Sequence, residues 1–267
     1  MNLTLIPQTN IEYVFHGPPA SKKKPIILVH GAYNNADVWE DNFLSYFAEK
    51  GHPVYAICLK EQKKLPRFAM LFSYRLKDYV KRLGLLIDTM DQKPVLIGHS
   101  MGGLVIQRYL SEHTDRVAGA CLLAALPWFG MKHTILKMLL QPIRFLAYMI
   151  LTLNPAVARK GPPPVGLLSK RADKKWRKRI PQVIVRESGF ALLDALFFPH
   201  VKPEKVKQTP LLIFGAEYDH LALPEDVVKN GEMYQAETII YPKMGHFMMM
   251  EPEWEEIARK ISDRFLG

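Results

Sequence analysis

Residues 94–110 read Pro94-Val95-Leu96-Ile97-Gly98-His99-Ser100-Met101-Gly102-Gly103-Leu104-Val105-Ile106-Gln107-Arg108-Tyr109-Leu110. The apolar run Val95–Ile97 predicts a buried strand, and residues 104–110 continue with helical spacing. A serine on the sharp turn between strand and helix is lifted out of the sheet, where its hydroxyl can meet a carbonyl group. Gly98 and Gly102 leave such a turn uncrowded. Alone, Gly-x-Ser-x-Gly recurs by chance in about one chain in ten of this length. Its weight therefore depends on what the rest of the chain supplies.

On the N-terminal side, residues 1–127 alternate short apolar runs with amphipathic stretches, the pattern of a sheet with crossover helices. Residues 3–6 and 11–15 predict an opening hairpin. Ile26-Ile27-Leu28-Val29 is wholly apolar, as a strand buried on both faces must be. Residues 37–50 predict a helix stopped by Gly51, residues 54–59 the next strand, residues 75–90 an amphipathic helix and residues 117–124 a further strand. The pattern resumes late in the chain. Residues 211–214 and 237–241 predict strands, and residues 224–232 and 252–265 predict helices. The fold class expected is α/β, a mostly parallel sheet flanked by helices, with its core in residues 1–127 and 208–267.

Residues 128–207 break the alternation and are expected to form an inserted, mainly helical cap. Eight prolines fall between residues 128 and 205. The apolar stretch 134–153 is interrupted by Pro142 and Arg144. A membrane span needs about 20 mainly apolar residues with few charges, so a cap helix pair or an interfacial helix fits better. Leu136, Met138, Leu139, Leu140, Phe145, Leu146, Tyr148, Met149 and Leu151 are candidates to line an apolar pocket.

The net charge of +10 on 267 residues is concentrated in this insertion. Between Trp128 and Pro210 there are 16 Lys plus Arg against 4 Asp plus Glu, leaving 20 against 22 elsewhere. The densest run is residues 170–179. A solvated helix face is expected there, with peripheral contact to an anionic membrane as the alternative and no nucleic-acid partner. Cys58 and Cys121 lie in apolar runs and are expected to be buried thiols, not a disulfide or metal ligands. Residues 1–7 lack the basic start and long apolar core of a secretory leader, so a cytoplasmic location is expected.

A serine hydroxyl is a weak nucleophile at neutral pH. It needs a base within hydrogen-bond reach, and the base needs an orienting carboxylate. The late strands supply both at their ends: Asp219 in Gly215-Ala216-Glu217-Tyr218-Asp219, and His246 in Pro242-Lys243-Met244-Gly245-His246-Phe247. Glu217, Asp226 and Asp194 are rivals to Asp219. His30 and His99 are expected to orient loops, and Trp39 to pack in the core. Tyr33, Asn34 and Asn35 are either substrate contacts or turn and cap residues.

Taken together, His30-Gly31 after a buried strand, Gly98-His99-Ser100-Met101-Gly102-Gly103, Gly215–Asp219 and Gly245-His246 resemble the α/β-hydrolase fold superfamily, and do so over nearly the whole chain. The resemblance implies Ser100 as nucleophile, His246 as general base and acid, and Asp219 as its orienting carboxylate. It also implies an oxyanion hole from the backbone N–H groups of Ala32 and Met101, with no metal or organic cofactor. Tyr33 and Phe247 are the expected substrate contacts. Met244, Met248, Met249 and Met250 are candidates for a pocket wall. The activity implied is hydrolysis of a small-molecule or lipid ester of medium or long acyl chain. A lyase, a carbon–carbon bond hydrolase and a slow-turnover ligand receptor share the same residues. Two departures matter. Lys60-Glu61-Gln62-Lys63-Lys64 stands where many relatives carry an acidic, glycine-rich loop, and a serine nucleophile argues against dehalogenase and epoxide hydrolase chemistry.

Overall fold

Ile26, Ile27, Leu28 and Val29 are completely shielded from solvent, and so are Val95, Leu96 and Ile97. Strands with every residue buried must be covered on both faces, which sets the layering of this molecule. A computed structural model describes residues 3–61, 66–141, 143, 146 and 166–267. In it eight strands form one sheet: β1 (Leu3–Leu5), β2 (Glu12–His16), β3 (Ile26–Val29), β4 (Val54–Ile57), β5 (Val95–His99), β6 (Gly119–Leu123), β7 (Leu211–Ala216) and β8 (Glu237–Tyr241). Their order is β1-β2-β4-β3-β5-β6-β7-β8. β1 and β2 form an antiparallel hairpin, β2 runs antiparallel to β4, and every other pairing is parallel.

The chain leaves β3 for β4 on one side and returns to β5 on the other. In parallel sheets the crevice at such a reversal, beyond the carboxyl ends of the strands, is where ligands bind. Val29 pairs with Gly98 across β3 and β5, which sets His30-Gly31 and Ser100 at the same end of the sheet. The ends of β7 and β8, leading to Asp219 and His246, lie at that end too. The helix Met101–Leu110 packs against β5 and against the helix Leu76–Ile87, and the closing helix Trp254–Phe265 buries Ile257, Ala258, Ile261 and Phe265. Cys58 and Cys121 are buried and are not joined in a disulfide.

Three expectations need correction or completion. Residues 37–50 do not form one helix. A 3₁₀ turn Ala36–Trp39 is followed by a widened turn in which Asp41 and Asn42 leave helical geometry, and an α-helix spans only Ser45–Glu49. The cause is Asn42, whose buried amide donates to the Val38 carbonyl at 2.9 Å and accepts from the Phe43 N–H at 2.6 Å, replacing ladder bonds. A short helix, Arg67–Leu71, appears where none was expected. Between β6 and β7 the described helices are Lys132–Leu139, Lys174–Val183, Gly189–Phe197 and Pro203–Val206. Phe145, Tyr148, Met149 and Leu151 lie outside the described residues. Among the described residues no helix is long and apolar enough to cross a membrane.

Candidate active site

Ser100 joins β5 to the helix Met101–Leu110 with φ 53° and ψ −123°, a backbone conformation that L residues rarely adopt. Such strain costs roughly 1–3 kcal/mol and persists only where the surroundings enforce it. Here they do. Ser100 N–H donates to the Leu123 carbonyl at 3.0 Å, while its own carbonyl accepts from Gly103 and Leu104. The turn is so close to β3 that a Cβ on Gly102 would run into the carbonyl oxygens of Val29 and His30, and one on Gly31 would lie 2.9 Å from Ser100 Cβ. Met101, as first residue of the helix, has an N–H with no intrahelical acceptor. Ala32 N–H makes no hydrogen bond among the described residues.

His246 Nδ1 lies 2.7 Å from Asp219 Oδ2, and both side chains are almost completely buried. The second oxygen of Asp219 accepts from the N–H groups of Leu221 (2.7 Å) and Ala222 (3.1 Å), which fixes the carboxylate plane. A carboxylate can only accept, so His246 Nδ1 carries the proton and Nε2 is left as the basic nitrogen. That Nε2 has no hydrogen bond among the described residues. The rival acids are committed elsewhere: Asp194 to Arg75, Asp226 to His133 and Lys229, and Glu217 to the Lys243 N–H.

The two other histidines brace the site. His99 Nε2 donates to the His246 carbonyl at 2.9 Å, and the two rings lie 4.6 Å apart. Burial, then the proximity of the His246 imidazole, holds the His99 pKa well below the ordinary histidine value, so it stays neutral. His30 Nε2 accepts from the Leu59 N–H, so its Nδ1 carries the proton and donates to the Gly31 carbonyl at 2.8 Å. Burial and the neighbouring Lys60 push the His30 pKa down to about 3.

Ser100, His246, Ala32, Tyr33, Asn34 and Phe247 all open onto one cavity of about 270 Å³. Met131, Ile135, Met138, Leu192 and Leu196 form its apolar walls. The expected substrate contacts Tyr33 and Phe247 thus lie on the cavity. Asn35 instead caps the turn Ala36–Trp39, accepting from the Asp37 N–H at 3.1 Å. Among the described residues of the expected apolar lining only Met138 reaches the cavity. Leu136, Leu139, Leu140 and Leu146 are exposed; in the helix Lys132–Leu139, with 3.6 residues per turn, positions 135 and 138 turn inward and 136 and 139 outward. The methionines 244, 248, 249 and 250 are fully buried core residues and none lines the cavity.

Residues 26–260 match the model of the alpha/beta hydrolase family. The chain belongs to the alpha/beta hydrolase family. This hydrolase is similar in fold to an esterase from Thermogutta terrifontis, with 19% identity, 95% of this chain and 92% of that one covered, and a TM-score of 0.71. It is similarly related to a monoacylglycerol lipase from Paleococcus ferrophilus, at 20% identity, 98% of each chain covered and a TM-score of 0.67. A non-heme chloroperoxidase from Kitasatospora aureofaciens is 29% identical over 106 residues, 39% of this chain and 38% of that protein's length.

Two buried carboxylates, Glu187 and Glu251, brace the site and carry no signature in the sequence. Glu251 accepts from Gly245 N–H (2.9 Å), Ser169 N–H (2.6 Å) and Ser169 Oγ (2.6 Å), tying the loop before His246 to the β6–β7 segment. Residues 166 and 167 add carbonyl acceptors for the N–H groups of His246 and Phe247. Glu187 meets Lys60, Tyr79 and the backbone of Tyr33. Neither glutamate sits in a local motif, and apart from the nearby N–H groups of Gly245 and Ser188 their partners are 82 to 154 residues away in sequence. Lys60 alone left a trace, as a departure from the family pattern.

Proposed function

We propose that this protein hydrolyses carboxylic esters through an acyl-enzyme on Ser100. The observation that carries the reading is the Asp219–His246 pair, held at 2.7 Å, whose histidine lines the cavity onto which the strained Ser100 also opens. His246 Nε2 takes the proton of Ser100 Oγ as the oxygen adds to the ester carbonyl. The N–H groups of Ala32 and Met101 receive the negative charge that develops on the carbonyl oxygen, helped by the positive end of the helix dipole at Met101. Collapse of the tetrahedral intermediate breaks the bond to the alkoxide, which leaves with the proton from His246. Water then gives a proton to His246, adds to the acyl carbon and releases the acid, and Ser100 recovers its proton. Asp219 holds the tautomer and balances the imidazolium charge throughout.

The apolar walls from Met131, Ile135, Met138, Leu192 and Leu196 favour an acyl chain of medium or greater length over acetate. Hydrolysis of p-nitrophenyl esters from acetate to palmitate tests both points. Rates are expected to rise from acetate to a medium-length chain, and to fall by about 10⁴-fold or more in Ser100→Ala and His246→Ala. Asp219→Asn should be severely impaired as well, because the amide favours the wrong imidazole tautomer. Ser100-independent turnover would overturn the mechanism. Ligand binding without turnover would favour a receptor.

Membrane docking through the basic run receives less support. Arg171 pairs with Glu253, Lys175 and Arg179 reach Asp41 and Glu40, and Arg177 donates to the carbonyls of Ser169, Lys170 and Ala172. Trp176, Ile180 and Val183 bury the other face of that helix. Arg171, Lys175 and Arg179 thus tie this segment to the core, and Arg177 ties the segment to itself.

A further inference from the structure

Tyr33, one residue beyond the Ala32 N–H, has φ 59°, in the left-handed region. Both polar groups of its backbone are gripped from outside the loop. Its N–H donates to Glu187 Oε2 at 3.0 Å, and its carbonyl accepts from the Val185 N–H at 2.7 Å. The next carbonyl, of Asn34, accepts from Lys60 Nζ at 3.1 Å, and the same ammonium donates to Glu187 Oε2 at 2.6 Å. The other Glu187 oxygen accepts from Tyr79 OH at 2.6 Å and from the Ser188 N–H at 2.9 Å. Lys60 is 5% exposed and Glu187 not at all at the side chain. Burial alone would raise the Glu187 pKa, but Lys60 and the hydrogen bonds outweigh it and hold the carboxyl below its ordinary value.

A buried ion pair adds little net stability over well-packed apolar groups of the same volume. Its consequence here is directional. The Ala32–Tyr33 peptide must turn its N–H toward Glu187, which leaves the preceding N–H, that of Ala32, unclaimed at the cavity. We propose that Lys60 and Glu187 are positioning residues that hold the 31–35 loop in the geometry of an oxyanion hole, so that residues 184–188 of the β6–β7 segment complete the catalytic apparatus of the sheet. This rests on the ester-hydrolase reading above. The pair touches no substrate and acts only through the loop backbone.

The test compares wild type with Lys60→Met, Glu187→Gln and the double variant, which leaves no unpaired buried charge. Steady-state constants on p-nitrophenyl butyrate are measured beside inhibition by an alkylboronic acid, whose tetrahedral adduct on Ser100 puts an oxygen where the oxyanion forms. Thermal melts check the fold. Expected is a fall in kcat of about 10- to 100-fold, less than the 10²–10³ for removing an oxyanion donor outright. KM should stay within about twofold, and boronic acid inhibition should weaken in parallel with kcat. A folded double variant with wild-type kcat would reduce the pair to a structural anchor and overturn the proposal. So would a raised KM at unchanged kcat. If the double variant does not fold, Tyr79→Phe, which keeps both charges, should still lower kcat at constant KM, and an unchanged kcat there overturns the proposal. Absence of Ser100-dependent turnover in wild type would overturn the hydrolase reading and this proposal together, whereas an active wild type with indifferent variants overturns this proposal alone.

Discussion

His30 shows how a single side chain can organise a loop by hydrogen bonds to its backbone. Buried beside β3, it accepts the Leu59 N–H and donates to the Gly31 carbonyl, and this pattern requires the neutral ring. Its folded pKa of about 3 lies below the ordinary 6.5, so the unfolded chain binds the extra proton first as pH falls. The stability it contributes is therefore present above pH 6.5 and is lost as pH falls toward 3. Within that window the loss approaches about 1.4 kcal/mol per pH unit. Urea denaturation of wild type and His30→Asn at pH 7, 6, 5 and 4 should show a shallower decline in the variant by about that slope, and equal slopes would contradict the assignment. The role of His30 as an orienting residue was readable from His30-Gly31 after a buried strand. Which backbone group it accepts from was not, since Leu59 is 29 positions away.

At the scale of elements, local sequence served well where periodicity was unbroken and poorly where side chains competed with the backbone. β3, β5 and β7 lie where their apolar runs put them, because a buried parallel strand demands such a run, and the edge strand β8 lies at its expected place although only Tyr241 of it is buried. Residues 37–50 kept helical spacing, yet Asn42 captured two backbone groups and split the helix. The helix Lys132–Leu139 poses the same problem for function. Its apolar residues are spread over two faces, and only Thr134, Ile135 and Met138 of it reach the cavity. This yields a paired prediction. Met138→Trp should shorten the cavity and lower kcat/KM for long acyl esters by about tenfold or more, with little effect on acetate. Leu136→Trp, on a face 59% exposed at that residue, should leave the chain-length profile unchanged, as the ester series would report.

At the scale of the molecule, the carboxyl end of the sheet is completed by the segment between β6 and β7. Glu187 reaches the loop after β3, and Ser169 reaches Glu251 beside the loop after β8. Glu251 is completely buried and satisfies three donors. Glu251→Ala should cost about 2–4 kcal/mol in chemical denaturation, for the donors it orphans, and should lower kcat by loosening the loop that carries His246. An unchanged melting curve would show that water replaces it without penalty. The sequence by itself determined the α/β class and the position of the strained turn, because strand burial and turn sterics are local properties, and through its family resemblance it singled out Ser100, Asp219 and His246 as candidates. Only the tertiary structure decided which side of the helix Lys132–Leu139 faces the cavity, which acids are spent elsewhere, and that Lys60, Tyr79 and Glu187 meet at Tyr33. Those outcomes depend on groups up to 154 residues apart being desolvated together, and desolvated polar groups must find partners wherever the fold brings them.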